Sequence, residues 1–364
     1  MKVKDVTNYL ESFAPLSIQE NYDNSGLILG DYNNDVSAIL ITLDCTEEIV
    51  EEAINTGCNL IIAHHPIIFK GLKKINGKNY VERTVIKAIK HDIAIYAIHT
   101  NLDNIKAGVN YKIAERIGLK NIKVLLPKKD QLRQLVFYCP KKNAKKLKNS
   151  LFQVGAGNIG DYENCSFSFK GKGTFKPSNK SNPFIGETNK INEEDEEAIA
   201  IIFPKHKEDI IIKTLKLNHP YEEIAYQLYI IDNYDADIGA GLIGDLEEEQ
   251  QANLFLKSLK KDLNTKCVRH TSILSKKIKK VAVCGGSGSF LLAQAKMIGA
   301  DIFISSDFKY HEFFDAEESI IIADIGHYES EQFTKDLIYD LLTKNFTTFA
   351  IRLSQINTNP IKYI

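Results

Sequence analysis

The stretch Leu60-Ile61-Ile62-Ala63-His64-His65-Pro66 carries the clearest structural signal in this sequence. It opens with four apolar residues that show no alternation, a pattern typical of a strand buried on both faces of a parallel sheet. Pro66 ends this strand, because proline cannot donate a hydrogen bond to a sheet ladder. His64 and His65 therefore stand at the carboxyl end of the strand, where open α/β sheets place their ligands. Two adjacent imidazoles there favour a metal site, and the plain alternative is a strand-to-loop turn without a ligand.

Strands and helices alternate along the chain around this stretch. A strand is predicted over residues 38–43, and Thr46 then begins a helix that Gly57 ends. A second helix over residues 81–90 leads to a strand over residues 93–98. Strand–helix–strand alternation of this kind predicts an open, mainly parallel α/β sheet.

The C-terminal third of the chain repeats this plan. Strands are predicted there over residues 281–284, 302–305 and 320–323. Gly299 ends the helix between the first two of these strands, and aligning it with Gly57 places Asp307 opposite His65. Two stretches of similar order, both ending their strands in ionisable groups, indicate an internal duplication with one site between the two halves.

The region between the two halves has a different pattern. It is predicted as strand, helix, glycine-rich extended stretch, strand, helix and strand, which is close to the split βαβ, ferredoxin-like module. We therefore predict a first α/β half over residues 1–130, an inserted ferredoxin-like α+β domain over residues 131–235 and a second α/β half over residues 236–364.

The composition and charge of the chain exclude several classes of protein. Its 364 residues are 44% hydrophobic and 26% charged, which is typical of a soluble globular protein of two or three domains. The 46 basic and 47 acidic residues give a formal net charge of -1, so no basic field favours a nucleic-acid partner. No apolar stretch approaches about 18 residues and the first segment lacks an apolar signal core, so we expect no membrane span and no secretory leader. The six cysteines form no CxxC pair, which predicts reduced thiols and a cytoplasmic location.

Histidines and carboxylates collect where the predicted strands end. The histidines at or just beyond predicted strand ends are His64, His65, His99, His311 and His327. If a helix begins at His327, Glu331 lies on the same face one turn later, a ligand spacing used for zinc and iron. The plain alternative is a histidine at a helix start with an ordinary surface glutamate. Asp103 follows the neighbouring strand and offers a carboxylate that could bridge two cations, and Asp307 and His311 form another pair four residues apart.

Two glycine-rich stretches are candidates for nucleotide or anion binding. Residues 155–160 match GxGxxG but follow a predicted helix, so they lack the strand–turn–helix context that a dinucleotide site needs. Residues 285–289 lie between a strand and a helix start, where backbone N–H groups can hold an anion or simply allow tight packing.

These motifs resemble, in order and spacing, those of the GTP cyclohydrolase I type 2 homologue family, also called Ngg-one-interacting-factor-three-like, over nearly the whole chain. The resemblance rests on Asp23-Asn24-Ser25-Gly26-Leu27, Ile61-Ile62-Ala63-His64-His65-Pro66, His99-Thr100-Asn101-Leu102-Asp103, Ser306-Asp307 to His311, and Gly326-His327 to Glu331. The insert resembles the PII-like domain of the long bacterial members, through runs such as Gly173-Thr174-Phe175-Lys176-Pro177 and His219-Pro220-Tyr221-Glu222-Glu223. One departure is Ser305-Ser306-Asp307, where members often have Thr-Gly and an acid, but the acid is kept.

The resemblance implies a dinuclear metal site between the two α/β halves, in a homohexameric ring whose opening the PII-like inserts cover. Carried over by position, the metal ligands are His64, His65, Asp103, His327 and Glu331. Such a set is too large for one four-coordinate zinc that must keep an open position. It fits two divalent cations, with Asp103 and Glu331 as bridges, and imidazole with carboxylate suits zinc, iron or manganese alike.

These inferences predict a dinuclear-metal-dependent hydrolase of the GTP cyclohydrolase type, acting on a small molecule. A metal-activated water would attack a purine ring carbon of a nucleotide, or a phosphoester, while His311, Asp307 or His99 moves protons. The alternative is a non-enzymatic regulatory protein that binds a metal or a small molecule and acts through the PII-like insert.

Overall fold

The structure is a computed structural model that describes residues 1–274 and 277–364. The described chain divides into two compact units, one made of Met1–Pro127 with Asp237–Ile364 and the other of Lys128–Ala236. None of the helices in the described ranges combines the length and the apolar character needed to cross a membrane.

The elements are numbered in chain order. The helices are α1 (Val3–Phe13), α2 (Glu47–Thr56), α3 (Tyr80–Lys90), α4 (Thr100–Asp103), α5 (Val109–Arg116), α6 (Lys141–Gln153), α7 (Glu208–Asn218), α8 (Ala252–Asp262), α9 (Leu292–Met297), α10 (His327–Glu331) and α11 (Thr334–Asn345). The strands are β1 (Gly26–Leu29), β2 (Ile39–Thr42), β3 (Leu60–Ala63), β4 (Ala94–Ala97), β5 (Lys120–Pro127), β6 (Leu132–Pro140), β7 (Phe167–Phe175), β8 (Asn192–Pro204), β9 (Tyr226–Ile231), β10 (Gly239–Gln251), β11 (Arg269–His270), β12 (Lys277–Ser287), β13 (Ile302–Ser306), β14 (Ile321–Asp324) and β15 (Ile351–Leu353). Short 3-10 helices include Ser289–Leu291 and Tyr310–Ala316.

The first sheet of the larger unit has the order β1-β4-β3-β2-β15. β4, β3, β2 and β15 run parallel, and β1 is antiparallel to β4 at the edge. Every residue of β3 is buried, so the prediction of a doubly covered parallel strand before the paired histidines is confirmed. The helix before β3 begins as predicted, because Thr46 accepts a hydrogen bond from the N–H of Ile49, and it ends at Gly57 in the left-handed conformation, with a φ of 70°.

The second sheet of this unit has the order β11-β14-β13-β12-β10-β5, and it corrects the prediction of mainly parallel sheets. β12, β13 and β14 are parallel, whereas β11, β10 and β5 each add an antiparallel pair, so the sheet is mixed. The chain runs out along β5 to Pro127 and returns along β10 from Gly239, and these two residues are register partners. Because the end of β5 lies beside the start of β10, these two paired strands run in opposite directions.

Each of the two sheets takes one strand from the opposite end of the chain. β5 comes from the first 130 residues but lies in the second sheet, and β15 follows the second sheet in sequence but pairs with β2 in the first. Leu337, Ile338 and Leu342 of α11 also pack into the core of the first sheet. The two α/β parts are therefore interlocked through backbone ladders and through a shared apolar core.

The smaller unit follows the predicted order of elements, and the stretch predicted only as glycine-rich and extended contains the strand β7. Its sheet is antiparallel throughout, in the order β7-β8-β6-β9. Leu135, Phe137 and Ile199 of the sheet are fully buried with Leu151 of α6 and Leu215 of α7, so both helices cover one face. This is the strand order of the split βαβ module. β8 begins at Asn192 and includes the acidic run Glu193-Glu194-Asp195-Glu196-Glu197.

The glycine that ends α2 tests how far backbone conformation limits the stability of this fold. A Cβ at residue 57 would meet no atom within 4 Å, so only the left-handed backbone opposes a side chain there. We expect Gly57→Ala to lower the free energy of unfolding by about 1–2 kcal/mol, measured by denaturant titration. Gly71→Ala is the matched control, because residue 71 has equally open space without a left-handed φ. Equal unfolding midpoints for the two variants would contradict this reasoning.

Candidate metal centre

The candidate metal ligands follow the carboxyl ends of strands from both sheets of the larger unit. His64 and His65 follow β3 directly, and Asp103 is the last residue of α4, the short helix after β4. β14 leads through a short turn to α10, which begins at His327 and ends at Glu331. The structure thus brings together all five residues that the family resemblance assigned to the metal.

The carboxylate of Glu331 is the centre of this cluster. It is 3% exposed, and its Oε2 lies 3.0 Å from Nε2 of His65 and 3.1 Å from Nε2 of His327. Its Oε1 lies 3.9 Å from Nε2 of His64, which is itself 3.6 Å from Oδ1 of Asp103. The two oxygens of one carboxylate therefore face two different sets of side chains.

Three overlapping groups in the described chain have ligand atoms within 4.8 Å of one another. These groups are His64, His65 and His99; His65, His327 and Glu331; and His64, Asp103 and Glu331. Imidazole nitrogen and carboxylate oxygen are the donors that zinc, iron and manganese accept. The donor set therefore fits a divalent cation.

Buried atoms without hydrogen bonds point to the same fit. Among the described residues, the buried side-chain polar atoms that lack a hydrogen-bond partner include His64 Nε2, His65 Nε2, Asp103 Oδ1 and Glu331 Oε2. Leaving one such atom unsatisfied costs about 1–3 kcal/mol, so a cluster of them in one place needs a reason. A cation bound there would satisfy all of these atoms at once.

The other ring nitrogen of each histidine is held by the surrounding protein. Nδ1 of His64 donates to the carbonyl of Ile98 at 2.8 Å, and Nδ1 of His65 donates to Asp44 at 2.8 Å. Nδ1 of His327 donates to Asp307 at 2.6 Å. These bonds leave Nε2 as the atom that faces the cluster, which is the arrangement that orients histidines at metal sites.

Asp44 and Asp23 hold candidate site histidines through hydrogen bonds, and neither was predicted as a site residue from the sequence. Asp44 follows β2, the neighbour of β3, so the rule that groups strand ends at one sheet edge could have found it. Asp23 lies within a motif of the family resemblance, and its Oδ1 accepts a hydrogen bond from Nδ1 of His99 at 2.7 Å. Asp23 also accepts from the backbone and the hydroxyl of Thr100, so this carboxylate is rigidly placed.

The three residues predicted to move protons have different surroundings. The ring of His99 lies 5.3 Å from that of His64 and 5.2 Å from that of His65, centroid to centroid. Asp307 is hydrogen-bonded to His327, whereas His311 is exposed, meets the ring of Tyr310 edge-on and stacks on that of Phe314.

The predicted pair of Asp307 and His311 is not part of one helix. Asp307 has a left-handed backbone with a φ of 60°, and the helix that contains His311 begins only at Tyr310. The spacing of four residues therefore does not place the two side chains on one helix face. Within the described residues, His311 belongs to none of the candidate ligand groups.

The glycine-rich stretch 285–289 uses N–H groups to pack against the centre. The N–H of Gly285 donates to Asn110 at 2.8 Å and that of Gly286 donates to Ser330 at 2.9 Å, so neither is available to an anion. Gly286 has a φ of 61°, and a Cβ there would collide with the carboxylate of Glu331. Of the two alternatives for this stretch, tight packing describes these glycines.

The charges of the cluster shift the pKa values of its members in opposite directions. The charge of Glu331 outweighs burial and, with the hydrogen bond to Asp307, raises the pKa of His327 to about 11. Burial favours a neutral ring at His65, but the charges of Glu331 and Asp44 raise its pKa to about 10. Burial alone would raise the pKa of Glu331, yet the two imidazolium charges hold it well below its usual value. Burial raises the pKa of Asp103 to about 7.

Comparison with known proteins places the whole chain in one family. The family model described as Duf34/NIF3 (NGG1p interacting factor 3) matches residues 1–360. Proteins of Staphylococcus epidermidis and Bacillus subtilis, both named GTP cyclohydrolase 1 type 2 homolog, are each 36% identical to this chain over 367 aligned residues. The alignment covers 100% of this chain and of the Staphylococcus protein, and 99% of this chain and 98% of the Bacillus protein.

Solved structures agree with this assignment. A crystal structure of a Bacillus cereus protein related to NIF3 superposes with a TM-score of 0.87 at 36% identity, over 100% of this chain and 99% of that one. A Staphylococcus aureus structure gives a TM-score of 0.79 at 32% identity, with the same coverage. The chain described here therefore belongs to the DUF34/NIF3 family, among relatives named GTP cyclohydrolase 1 type 2 homologues.

Proposed function

We propose that this protein is a metal-dependent hydrolase whose centre holds two divalent cations. The observation that carries the proposal is that two of the candidate ligand groups share Glu331 and have no other residue in common. His65 and His327 lie on the side of its Oε2, whereas His64 and Asp103 lie on the side of its Oε1. A carboxylate with one oxygen in each group is suited to bridge two cations.

Zinc, iron and manganese all suit these donors, and metal supply in the cell can decide between them. Bound there, two divalent cations would supply a water of lowered pKa and polarise the electrophile that the water attacks. The chain itself holds the ligands in place, because the hydrogen bonds at Nδ1 fix the orientation of His64, His65 and His327.

Of the three predicted proton-transfer residues, His99 is supported best. It lies beside both His64 and His65, and its side chain is 15% exposed, so it can exchange protons with solvent. Its Nδ1 is held by Asp23, which leaves Nε2 to accept or donate a proton at the reacting molecule. Asp307 acts on His327 instead, as an orienting group.

The substrate we propose is a nucleotide attacked at a purine ring carbon, or a phosphoester. Support comes from the name GTP cyclohydrolase 1 type 2 homolog, which full-length relatives at 36% identity carry. We also propose a homohexameric ring located in the cytoplasm, with the smaller unit as a PII-like domain, because the family resemblance implies this assembly.

A second candidate function is a regulatory protein that binds a metal or small molecule without turnover. The observation that favours it is the independent core of the smaller unit, in which both helices pack on a complete four-stranded sheet. A module of this kind can bind a ligand of its own.

Turnover separates the two functions. We expect the protein loaded with Fe²⁺, Mn²⁺ or Zn²⁺ to hydrolyse GTP or a generic phosphoester, with product followed by chromatography or by phosphate release. The regulatory function is correct instead if no substrate reacts, yet a nucleotide binds the smaller unit and raises the melting temperature of the protein.

Replacing the shared carboxylate tests the centre itself. We expect Glu331→Gln to lose at least one cation position in elemental analysis and to lower kcat/KM at least about 100-fold, because a neutral amide cannot bridge two cations. Glu82→Gln is the matched control, since Glu82 is also buried but only accepts hydrogen bonds from Asn79 and the loop before α3. Full metal content in Glu331→Gln would refute the ligand assignment.

The raised pKa values predict that cations compete with protons for this centre. His65 and His327 have pKa values above 7 without a cation, so they carry protons at pH 7 and must release them to coordinate. We therefore expect release of about one proton or more per protein at pH 7, and metal affinity that rises as the pH rises from 6 to 8. Calorimetric titration in buffers of different ionisation enthalpy measures this number. Binding without proton release would contradict the charge state assigned to the two rings.

A further inference from the structure

The segment that follows β15 contacts residues that lie next to the candidate metal ligands. We call residues 354–364 the C-terminal strap. β15 pairs in parallel with β2, and the N–H of Ser354 continues that ladder to the carbonyl of Ile41 at 2.9 Å. The strap is therefore guided along β2 toward Asp44, the residue that holds His65.

One contact of the strap with residues that hold the candidate ligands is made at Asp44. The hydroxyl of Thr358 donates to Oδ2 of Asp44 at 2.5 Å, while Oδ1 of the same carboxylate accepts from Nδ1 of His65 at 2.8 Å. With both of its oxygens engaged, the carboxylate cannot rotate without breaking one of these bonds. A displacement of Thr358 would therefore also displace the carboxylate that orients the ring of His65.

The second contact of the strap is made at α10. Nδ2 of Asn359 donates to Oε1 of Glu329 at 3.0 Å, and the hydroxyl of Tyr363 bonds the same carboxylate. Glu329 is 5% exposed and lies two residues from both His327 and Glu331, so its side chain leaves the helix on the face opposite to theirs. The strap therefore contacts α10 on the face opposite to His327 and Glu331, the two ligand candidates of this helix.

Polar contacts attach the strap in addition to the apolar packing of Ile356 against the core of the first sheet. Ile361 is 52% exposed, whereas Ser354 and Asn359 are buried. The hydroxyl of Ser354 donates to Glu52 of α2, away from the centre, at 2.5 Å. Asn359 is itself fixed, because its Oδ1 accepts from the N–H of Ile361 at 2.9 Å. A segment attached by such directional bonds is suited to set the orientation of its partners.

We propose that the C-terminal strap positions the metal ligands, with Thr358 acting through Asp44 on His65 and Asn359 acting through Glu329 on α10. The strap thus preorganises two sides of the centre at once. This inference rests on the proposed metal centre. It makes Thr358 and Asn359 positioning residues, since neither touches the ligand atoms.

The test compares three substitutions in the strap of the full-length protein. Thr358→Val removes the hydroxyl donor with little change of shape, Thr358→Ser keeps the donor, and Ser354→Ala removes the bond to Glu52 that does not reach the centre. Zn²⁺ affinity is measured by competition with a chromophoric chelator, and Co²⁺ substitution adds a d–d absorption spectrum that reports ligand geometry. Melting temperatures are recorded for the protein without metal.

We expect Thr358→Val to weaken Zn²⁺ binding about tenfold and to alter the Co²⁺ spectrum, because loss of outer hydrogen-bond partners weakens metal sites by this order. Thr358→Ser should restore both properties to within about twofold of the unsubstituted protein, and Ser354→Ala should leave both unchanged although it too removes a strap hydrogen bond.

A double-substitution cycle shows the route of the effect. In an Asp44→Asn background, Thr358→Val should produce no further loss of Zn²⁺ affinity, because the hydroxyl acts through that carboxylate. Equal Zn²⁺ affinities and spectra for Thr358→Val and Ser354→Ala would overturn the positioning role while leaving the metal centre intact. Failure of the unsubstituted protein to bind any cation would instead overturn the proposed centre, and the role of the strap with it.

Discussion

The buried carboxylate of Glu331 is the constraint on which the rest of this structure depends. It is 3% exposed and lies within 3.1 Å of two imidazole nitrogens from opposite ends of the chain. A carboxylate taken out of water needs compensating charge, so the fold must bring histidines to it. The two sheets meet this need because the carboxyl ends of β3 and β14 lie near each other, each followed by a histidine and a tight turn. Glycine at residue 286 leaves space for the carboxylate, because a Cβ there would occupy its position.

The centre trades stability for readiness to bind. Nitrogen and oxygen atoms of four side chains are buried in this cluster without hydrogen bonds, an arrangement that costs stability unless a ligand satisfies them. The surrounding carboxylates Asp44, Asp307 and Asp23 do the opposite, because each accepts a hydrogen bond from the Nδ1 of one histidine. The ligand atoms therefore lack hydrogen bonds, while the histidine rings are held in place through their Nδ1 atoms. Such an arrangement would suit the proposed cations, because the side chains would need little reordering to coordinate them.

The interlocked sheets explain how residues far apart in sequence stay close together in the candidate metal centre. β5 and β15 each cross to the sheet of the other chain half, and α11 adds its apolar face to the core of the first sheet. Relative movement of the halves would have to break backbone ladders as well as apolar contacts. The strap then extends the path from β15 to Asp44 and to Glu329, so one end of the chain contacts both the β3 side and the α10 side of the centre.

The sequence by itself determined the buried strand and the ligand types that follow it. Four unalternated apolar residues before His64, His65 and Pro66 admit few structures other than a covered parallel strand, because local burial and proline chemistry act within a few residues. The strand directions in the second sheet, the place of His311 outside the candidate ligand groups of the described residues, and the hydrogen bond between His65 and Asp44 became visible in the tertiary structure alone. Pairing of β5 with β10 and the hydrogen bond from Thr358 to Asp44 join residues more than 100 positions apart. Such contacts depend on how the chain closes in space, and no local pattern of side chains records that closure.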